Sequence, residues 1–202
     1  MRNDLGFARA AAAAFFVVGP LVAVALGVQA GPAAAGELAG VTLPDQISVE
    51  GKTLLLNGLG LREATWLKVD VYVAGLYLEE KSSDPDAIIA SERSKRLVMR
   101  FVRDVGGKDL VKAWNESFEE NAGQGFAALK ERVGTLDSWM PDVIHKGEAI
   151  TFTYLPERGV GVDVQDRSKG VLPGADFARA LFRIWLGPKP PGAALKAGLL
   201  GH

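Results

Sequence analysis

Hydrophobic and polar positions alternate with a period of two along several segments, which is the pattern of β-strands. Ile47 and Val49 alternate with polar neighbours, a tight turn is predicted at 50–52, and residues 53–57 form the predicted return strand of a hairpin. A further strand is predicted over KRLVMRFVRDV. The segments EAITFTYLP and GVGVDVQD predict a second hairpin, which turns across residues 156–159.

The longest predicted strand runs from Trp66 to Glu79, after a glycine turn predicted at residues 58–60. One face of this strand is apolar throughout, and the other face changes from polar to apolar at Tyr72. A strand that is apolar on both faces must be covered on both sides. The pattern therefore predicts cover by a helix layer, a second sheet or a bound ligand.

Apolar residues at helical spacing predict three amphipathic helices. The segment GGKDLVKAWNESFEENA places Leu110, Trp114 and Phe118 on one face, and GFAALKERVGTLDSWM and DFARALFRIWLG follow the same periodicity. A short helix is also predicted in SSDPDAIIAS. Strands, helices, strands and a helix follow one another in that order, which predicts an α+β fold with an antiparallel sheet and helices packed on it.

The first 35 residues are predicted to be a secretory signal peptide. Arg2 and Arg9 lead into an apolar run, and Ala33-Ala34-Ala35 fits an A-x-A cleavage site. The alternative is an uncleaved membrane anchor, since the run approaches the ~20 residues that a span needs. Cleavage is the interpretation we favour, and it predicts a domain of residues 36–202 in the periplasm or secreted, with no membrane span after cleavage.

Charge and composition exclude several classes of function. The formal net charge is −1, which does not predict a nucleic-acid partner. The chain contains no cysteine, so a thiol nucleophile and a thiolate metal site are both excluded. We interpret His145 as a solvated loop residue, and Glu116, Glu119 and Glu120 as a solvated acidic helix face. Neither a metal nor a cofactor is therefore expected.

Arg62 and Tyr72 are the remaining candidates for chemistry, because both lie next to apolar positions. A guanidinium group can hold a carboxylate or an enolate through two hydrogen bonds, and a tyrosine hydroxyl can add a third donor. The alternative is structural, with Arg62 paired to Glu63 or Asp70 and Tyr72 bonded to a carbonyl at the sheet edge. The residue pattern alone slightly favours the structural role.

The segments LLLNGLGLRE, LKVDVYVAGLYLEE, LVKAWNESFEEN and DFARALFRIWLGPKPP resemble the chalcone isomerase-like family, in its bacterial exported branch, over about residues 37–200. The resemblance implies an open-faced antiparallel sheet with a layer of helices. Plant members of the family include isomerases that close a chalcone into a flavanone and non-catalytic fatty-acid-binding proteins. In both groups an arginine after the glycine turn faces the ligand cleft, and the resemblance assigns that position to Arg62.

Other positions depart from the isomerase pattern. Tyr72 stands where the isomerases have a threonine, and the fatty-acid-binding branch has at about this place a tyrosine that helps the arginine to hold a carboxylate. In the isomerases one helix carries a tyrosine and, seven residues later, an asparagine. This chain has Leu110 and Ser117 at those two positions. These differences argue against chalcone isomerisation.

We therefore expect an exported, non-catalytic protein that binds a small amphiphile such as a fatty acid through Arg62 and Tyr72. Two alternatives stay open. One is an isomerase-type enzyme in which Arg62 stabilises an enolate-like oxygen. The other is a structural envelope protein that binds no ligand.

Overall fold

The computed structural model describes residues 34–64 and 69–202. The predicted signal peptide lies almost wholly outside the described residues, so export and localisation stay predictions. The predicted start of the long strand at Trp66 lies outside them as well. No helix in the described part of the chain has the length and apolar character to cross a membrane.

The described residues form eleven strands, five α-helices and one 3₁₀ helix. The strands are β1 (Ala34–Leu38), β2 (Val41–Pro44), β3 (Gln46–Val49), β4 (Lys52–Ala64), β5 (Val69–Leu78), β6 (Lys95–Phe101), β7 (Val105–Gly106), β8 (Val143–Ile144), β9 (Ala149–Leu155), β10 (Gly159–Val164) and β11 (Arg167–Leu172). The α-helices are α1 (Pro85–Ala90), α2 (Gly107–Ala122), α3 (Lys130–Ser138), α4 (Ala175–Leu186) and α5 (Ala193–Leu199), and the 3₁₀ helix covers Gly123–Leu129.

Seven strands form one antiparallel sheet in the order β11-β10-β9-β6-β5-β4-β3. Two small antiparallel pairs, β1 with β2 and β7 with β8, lie outside that sheet. The predicted α+β class with an antiparallel sheet is confirmed. The hairpin of β9 and β10 is also confirmed, and α2 and α4 cover the first and third predicted helices.

Both faces of β5 are buried from Tyr72 onward, as the sequence predicted. On one face Tyr72 and Leu76 join the main core, which includes residues of all five helices. On the other face Val73 and Tyr77 join a second core with residues of β2. The hydroxyl of Tyr77 donates a hydrogen bond of 3.0 Å to the carbonyl of Pro44, which holds the β1–β2 pair on this face. The second face of β5 is thus covered by the small sheet of β1 and β2.

The predicted glycine turn at residues 58–60 is wrong, because β4 runs straight through it. Neither Gly58 nor Gly60 has a positive φ. Helix α5 lies so close that a Cβ atom on Gly58 would be 2.1 Å from the carbonyl oxygen of Gly198, and one on Gly60 would be 2.3 Å from that of Leu195. The glycines therefore serve close packing of a helix on a strand, not a turn.

The second predicted helix is only partly α-helical. It begins as the 3₁₀ helix at Gly123–Leu129 and becomes α3 at Lys130–Ser138. Glycines at positions 123 and 125 disfavour the α-helix in its first turns, because glycine has a large conformational freedom to lose. Leu129, Val133 and Leu136 nevertheless face the core as predicted.

Candidate functional site

A cavity of about 470 Å³ lies between β4, β5 and α2. This volume falls in the range of ~300–1,000 Å³ that is usual for small-molecule sites. Its walls come from β4, β5, the segment before α2, α2 itself and one proline of the C-terminal segment. The lining residues are Arg62, Ala64, Val71, Tyr72, Arg103, Asp104, Val105, Gly106, Asp109, Leu110, Ala113, Trp114, Glu116, Ser117, Glu120 and Pro191.

Arg62 and Tyr72 lie side by side at this cavity. They are directly opposed partners in the antiparallel pairing of β4 with β5, and opposed residues project their side chains to the same face. A β-bulge follows at once, between Arg62 and Glu63. The sheet register thus brings together the two residues that the sequence singled out.

The Tyr72 side chain is buried, and its hydroxyl accepts a hydrogen bond of 3.0 Å from Nε1 of Trp185. Burial raises the pKa of Tyr72 to about 12, against smaller lowering effects of the Trp185 hydrogen bond and the Arg62 charge. The hydroxyl therefore keeps its proton at neutral pH. Since an indole N–H can only donate, Tyr72 is the acceptor in this bond. In the part of the chain that the structure describes, Tyr72 itself donates no hydrogen bond.

Arg62 is partly buried, and its Nη1 donates a hydrogen bond to the backbone carbonyl of Glu63. Within residues 34–64 and 69–202, its guanidinium forms no salt bridge with a carboxylate. The structural alternative expected an ion pair of Arg62 with Glu63 or Asp70. It also expected Tyr72 to bond a carbonyl at the sheet edge, whereas Tyr72 lies on an interior strand and bonds Trp185.

One part of the cavity wall, contributed by both α2 and β5, is apolar. Leu110 and Trp114 of α2 are buried and face the cavity, and Val71 of β5 joins them. Trp114 also belongs to the core, because its ring packs edge-on against Phe152 at 5.5 Å between centroids. Leu110 and Ser117 both line the cavity, so the positions compared with the isomerases do face this space.

Charged side chains surround the outer part of the cavity. Arg103, Asp104, Asp109, Glu116 and Glu120 are all exposed. Four of these five groups are carboxylates, which repel an anion. The favourable place for a negative charge is therefore the partly buried guanidinium of Arg62.

His145 lies outside the cavity and is solvent-exposed on a loop, as predicted. Its Nδ1 is 3.2 Å from Oδ2 of Asp104. The backbone N–H of Lys146, together with His145, lowers the pKa of Asp104 below its usual range. Glu116, Glu119 and Glu120 on α2 are exposed, which confirms the predicted solvated acidic helix face.

Trp185 contacts the candidate site through Tyr72, and the sequence did not single it out. The periodicity of α4 correctly placed it in the core, where it is 1% exposed. The partner of its indole N–H could not be read from the sequence, because Tyr72 lies 113 residues away. The one available signal was general: a buried tryptophan N–H requires an acceptor.

Comparison with known proteins fixes the family. The sequence model described as chalcone isomerase-like matches residues 35–201. The chain belongs to the chalcone isomerase-like family. This membership confirms the resemblance seen in the sequence. No curated protein matches the sequence.

The fold of this family member is shared with a solved structure. The fatty-acid binding protein AtFAP1 of Arabidopsis thaliana superposes with a TM-score of 0.61 at 15% sequence identity, covering 80% of this chain and 92% of that chain. At this level of identity the likeness shows a common fold. The predicted chalcone isomerase-like architecture, an antiparallel sheet with a helix layer, is thereby confirmed.

Proposed function

We propose that this chalcone isomerase-like protein binds a fatty-acid-like carboxylate in the cavity between β4, β5 and α2, and that it does so without catalysing a reaction. The observation that carries the proposal is the Arg62–Tyr72 pair. A partly buried guanidinium lies beside a buried hydroxyl that donates no hydrogen bond among the described residues. Both groups line the same cavity.

The head group of the ligand lies against Arg62 and Tyr72 in this proposal. A carboxylate accepts charge-assisted hydrogen bonds from the guanidinium and a further bond from the Tyr72 hydroxyl. Such a ligand supplies an acceptor to a hydroxyl that donates no hydrogen bond among the described residues. The exposed carboxylates farther out, such as Glu116 and Glu120, disfavour any outer position for the same anion.

The alkyl tail of the ligand contacts the apolar wall of Val71, Leu110 and Trp114. Each buried methylene contributes about 0.8 kcal/mol, which is roughly a fourfold gain in affinity per carbon. Affinity is therefore expected to rise with chain length until the cavity is filled, and then to level off.

Two further observations support binding over catalysis. The solved structure AtFAP1, which shares this fold, is named a fatty-acid binding protein. Leu110 and Ser117 line the cavity. By resemblance, the isomerases have a tyrosine and an asparagine at these two positions. A leucine offers no polar contact to a substrate or to a catalytic water.

Export belongs to the same proposal and rests on the N-terminal sequence. Cleavage after Ala35 would keep the β1–β2 pair, because the register pairs of Gly36 with Leu43, Glu37 with Thr42 and Leu38 with Val41 all lie beyond the cut. The intact mass of the protein recovered from the cell envelope tests this point. A mass that still includes residues 1–35 would contradict it.

Native mass spectrometry and organic extraction of the purified protein test ligand binding. We expect a co-purified lipid carboxylate that is lost in Arg62→Ala and kept in Arg103→Ala. Arg103 is a matched control because it lines the same cavity from an exposed position. A protein that is always empty, and that Arg62→Ala changes only in stability, would contradict the proposal.

A further inference from the structure

We infer that Trp185 is a positioning residue: it holds the Tyr72 hydroxyl as a hydrogen-bond donor toward the cavity, and thereby selects ligands whose head group only accepts hydrogen bonds. This inference rests on the proposed function. It adds a residue outside the cavity lining, and it states which class of head group the site takes and which it rejects.

The indole of Trp185 is held in one orientation by its neighbours. Its ring packs against Phe152 at 5.8 Å and edge-on against Trp114 at 6.5 Å between centroids. The Tyr72 ring is fixed in turn by Phe101 at 5.6 Å. With both rings locked in the core, the 3.0 Å bond from Trp185 to the Tyr72 oxygen has little freedom to rearrange.

The chemistry of the three side chains then sets the polarity of the site. An indole N–H donates and cannot accept, so it occupies an acceptor position of the Tyr72 oxygen and leaves the O–H bond to point elsewhere. A guanidinium also has only donors. Arg62 and Tyr72 together therefore present donors to a ligand. A carboxylate accepts from both groups and brings no proton of its own. An alcohol leaves its own proton without a comparable partner, and an ammonium group meets a like charge.

A purely structural role for Trp185 makes a different prediction. If the bond only satisfies a buried N–H, its removal loosens the site for every ligand with the same tail. If the bond orients Tyr72, its removal weakens carboxylates selectively. The ratio of affinities for two head groups on one tail therefore separates the two roles.

The test compares dodecanoate with 1-dodecanol by titration of the wild-type protein and of Trp185→Phe, which keeps an aromatic ring and removes the N–H. We expect the affinity for dodecanoate to fall about tenfold, as for one hydrogen bond to a charged group, and the affinity for dodecanol to change less than about threefold. In a Tyr72→Phe background, Trp185→Phe is expected to cause no further loss for dodecanoate.

A second measurement needs no variant. The Nε1–H resonance of Trp185 in NMR spectra is expected to shift when dodecanoate binds, because a carboxylate on the Tyr72 proton polarises the Tyr72 oxygen. This resonance is expected to shift less with dodecanol.

Two outcomes of the titrations would overturn the inference and leave the proposed function intact. One is an equal loss of affinity for both probes in Trp185→Phe, and the other is an undiminished effect of Trp185→Phe on dodecanoate affinity in the Tyr72→Phe background. If neither probe binds the wild-type protein, the proposed function fails and the inference fails with it.

Discussion

Replacing Gly60 by alanine tests the interpretation that β4 needs glycine for the approach of α5. A Cβ atom at position 60 would lie 2.3 Å from the carbonyl oxygen of Leu195 and 2.8 Å from its Cδ1. Contacts between a Cβ and other heavy atoms are normally 3.4 Å or longer. Helix α5 would therefore have to move outward by about 1 Å.

The structure indicates how strongly α5 resists this movement. Leu195 and Leu199 of α5 are completely buried in the main core, and Asn57 binds the carbonyl of Leu199 at 2.8 Å. Overpacking of this kind typically costs about 1–3 kcal/mol. The lower entropy of the unfolded alanine variant offsets about 0.4–1 kcal/mol of that cost. A net loss near 1–2 kcal/mol lowers the Tm by roughly 2–8 °C in a domain of this size.

Thermal denaturation followed by circular dichroism measures the effect, with Gly161→Ala as the matched control. Gly161 is also a strand glycine without a positive φ, but its added Cβ would meet only the carbonyl oxygen of Thr153, at 3.7 Å. The control is expected to be neutral or slightly stabilising. If Gly60→Ala is as stable as Gly161→Ala, the close approach of α5 does not explain the glycines of β4.

Two further predictions concern buried polar groups. The Asn57 side chain donates hydrogen bonds to the carbonyls of Ser82 and Leu199 and accepts one from the N–H of Ser82, and Asn57→Ala removes all three. Urea denaturation should therefore show that the free energy of unfolding falls by about 2–3 kcal/mol. A fall below about 0.5 kcal/mol, roughly the scatter for one bond, would contradict this expectation. Burial lowers the pKa of Lys95 from 10.5 to about 8, so between those pH values the unfolded state binds more protons and stability rises with pH. Lys95→Met should flatten this rise in urea titrations at pH 8 and 10, and an unchanged slope would refute it.

The sequence predicted the strands and helices that have long, regular periodicity. The two-faced strand β5 and the buried stripe of Leu110, Trp114 and Phe118 follow directly from that periodicity. The strands β1, β2 and β11 were not predicted, because AAGEL and RSKGVL show no regular alternation of apolar and polar residues and VTLP ends in a proline, which disfavours a strand.

Long-range contacts account for what the sequence could not show. Two glycines in a strand pattern are compatible with a turn and also with a close helix contact. Which of the two forms at Gly58 and Gly60 depends on α5, which begins only at Ala193. The residue pattern made Arg62 and Tyr72 candidates and the family resemblance favoured a ligand-binding role, whereas the register of β4 with β5 made them neighbours. The bond from Trp185 required the packed position of α4 against the sheet.

Calorimetric titration with dodecanoate tests the central claim most directly. Wild-type protein is expected to bind one equivalent, and Arg62→Gln is expected to lose roughly 10- to 100-fold in affinity, since hydrogen bonds to a charged group are removed. Arg103→Gln, on the exposed rim of the same cavity, should stay within about twofold of the wild type because exposed charge pairs contribute little. A wild-type protein that does not bind dodecanoate, or an Arg62→Gln variant that binds it equally well, would contradict a carboxylate site at Arg62.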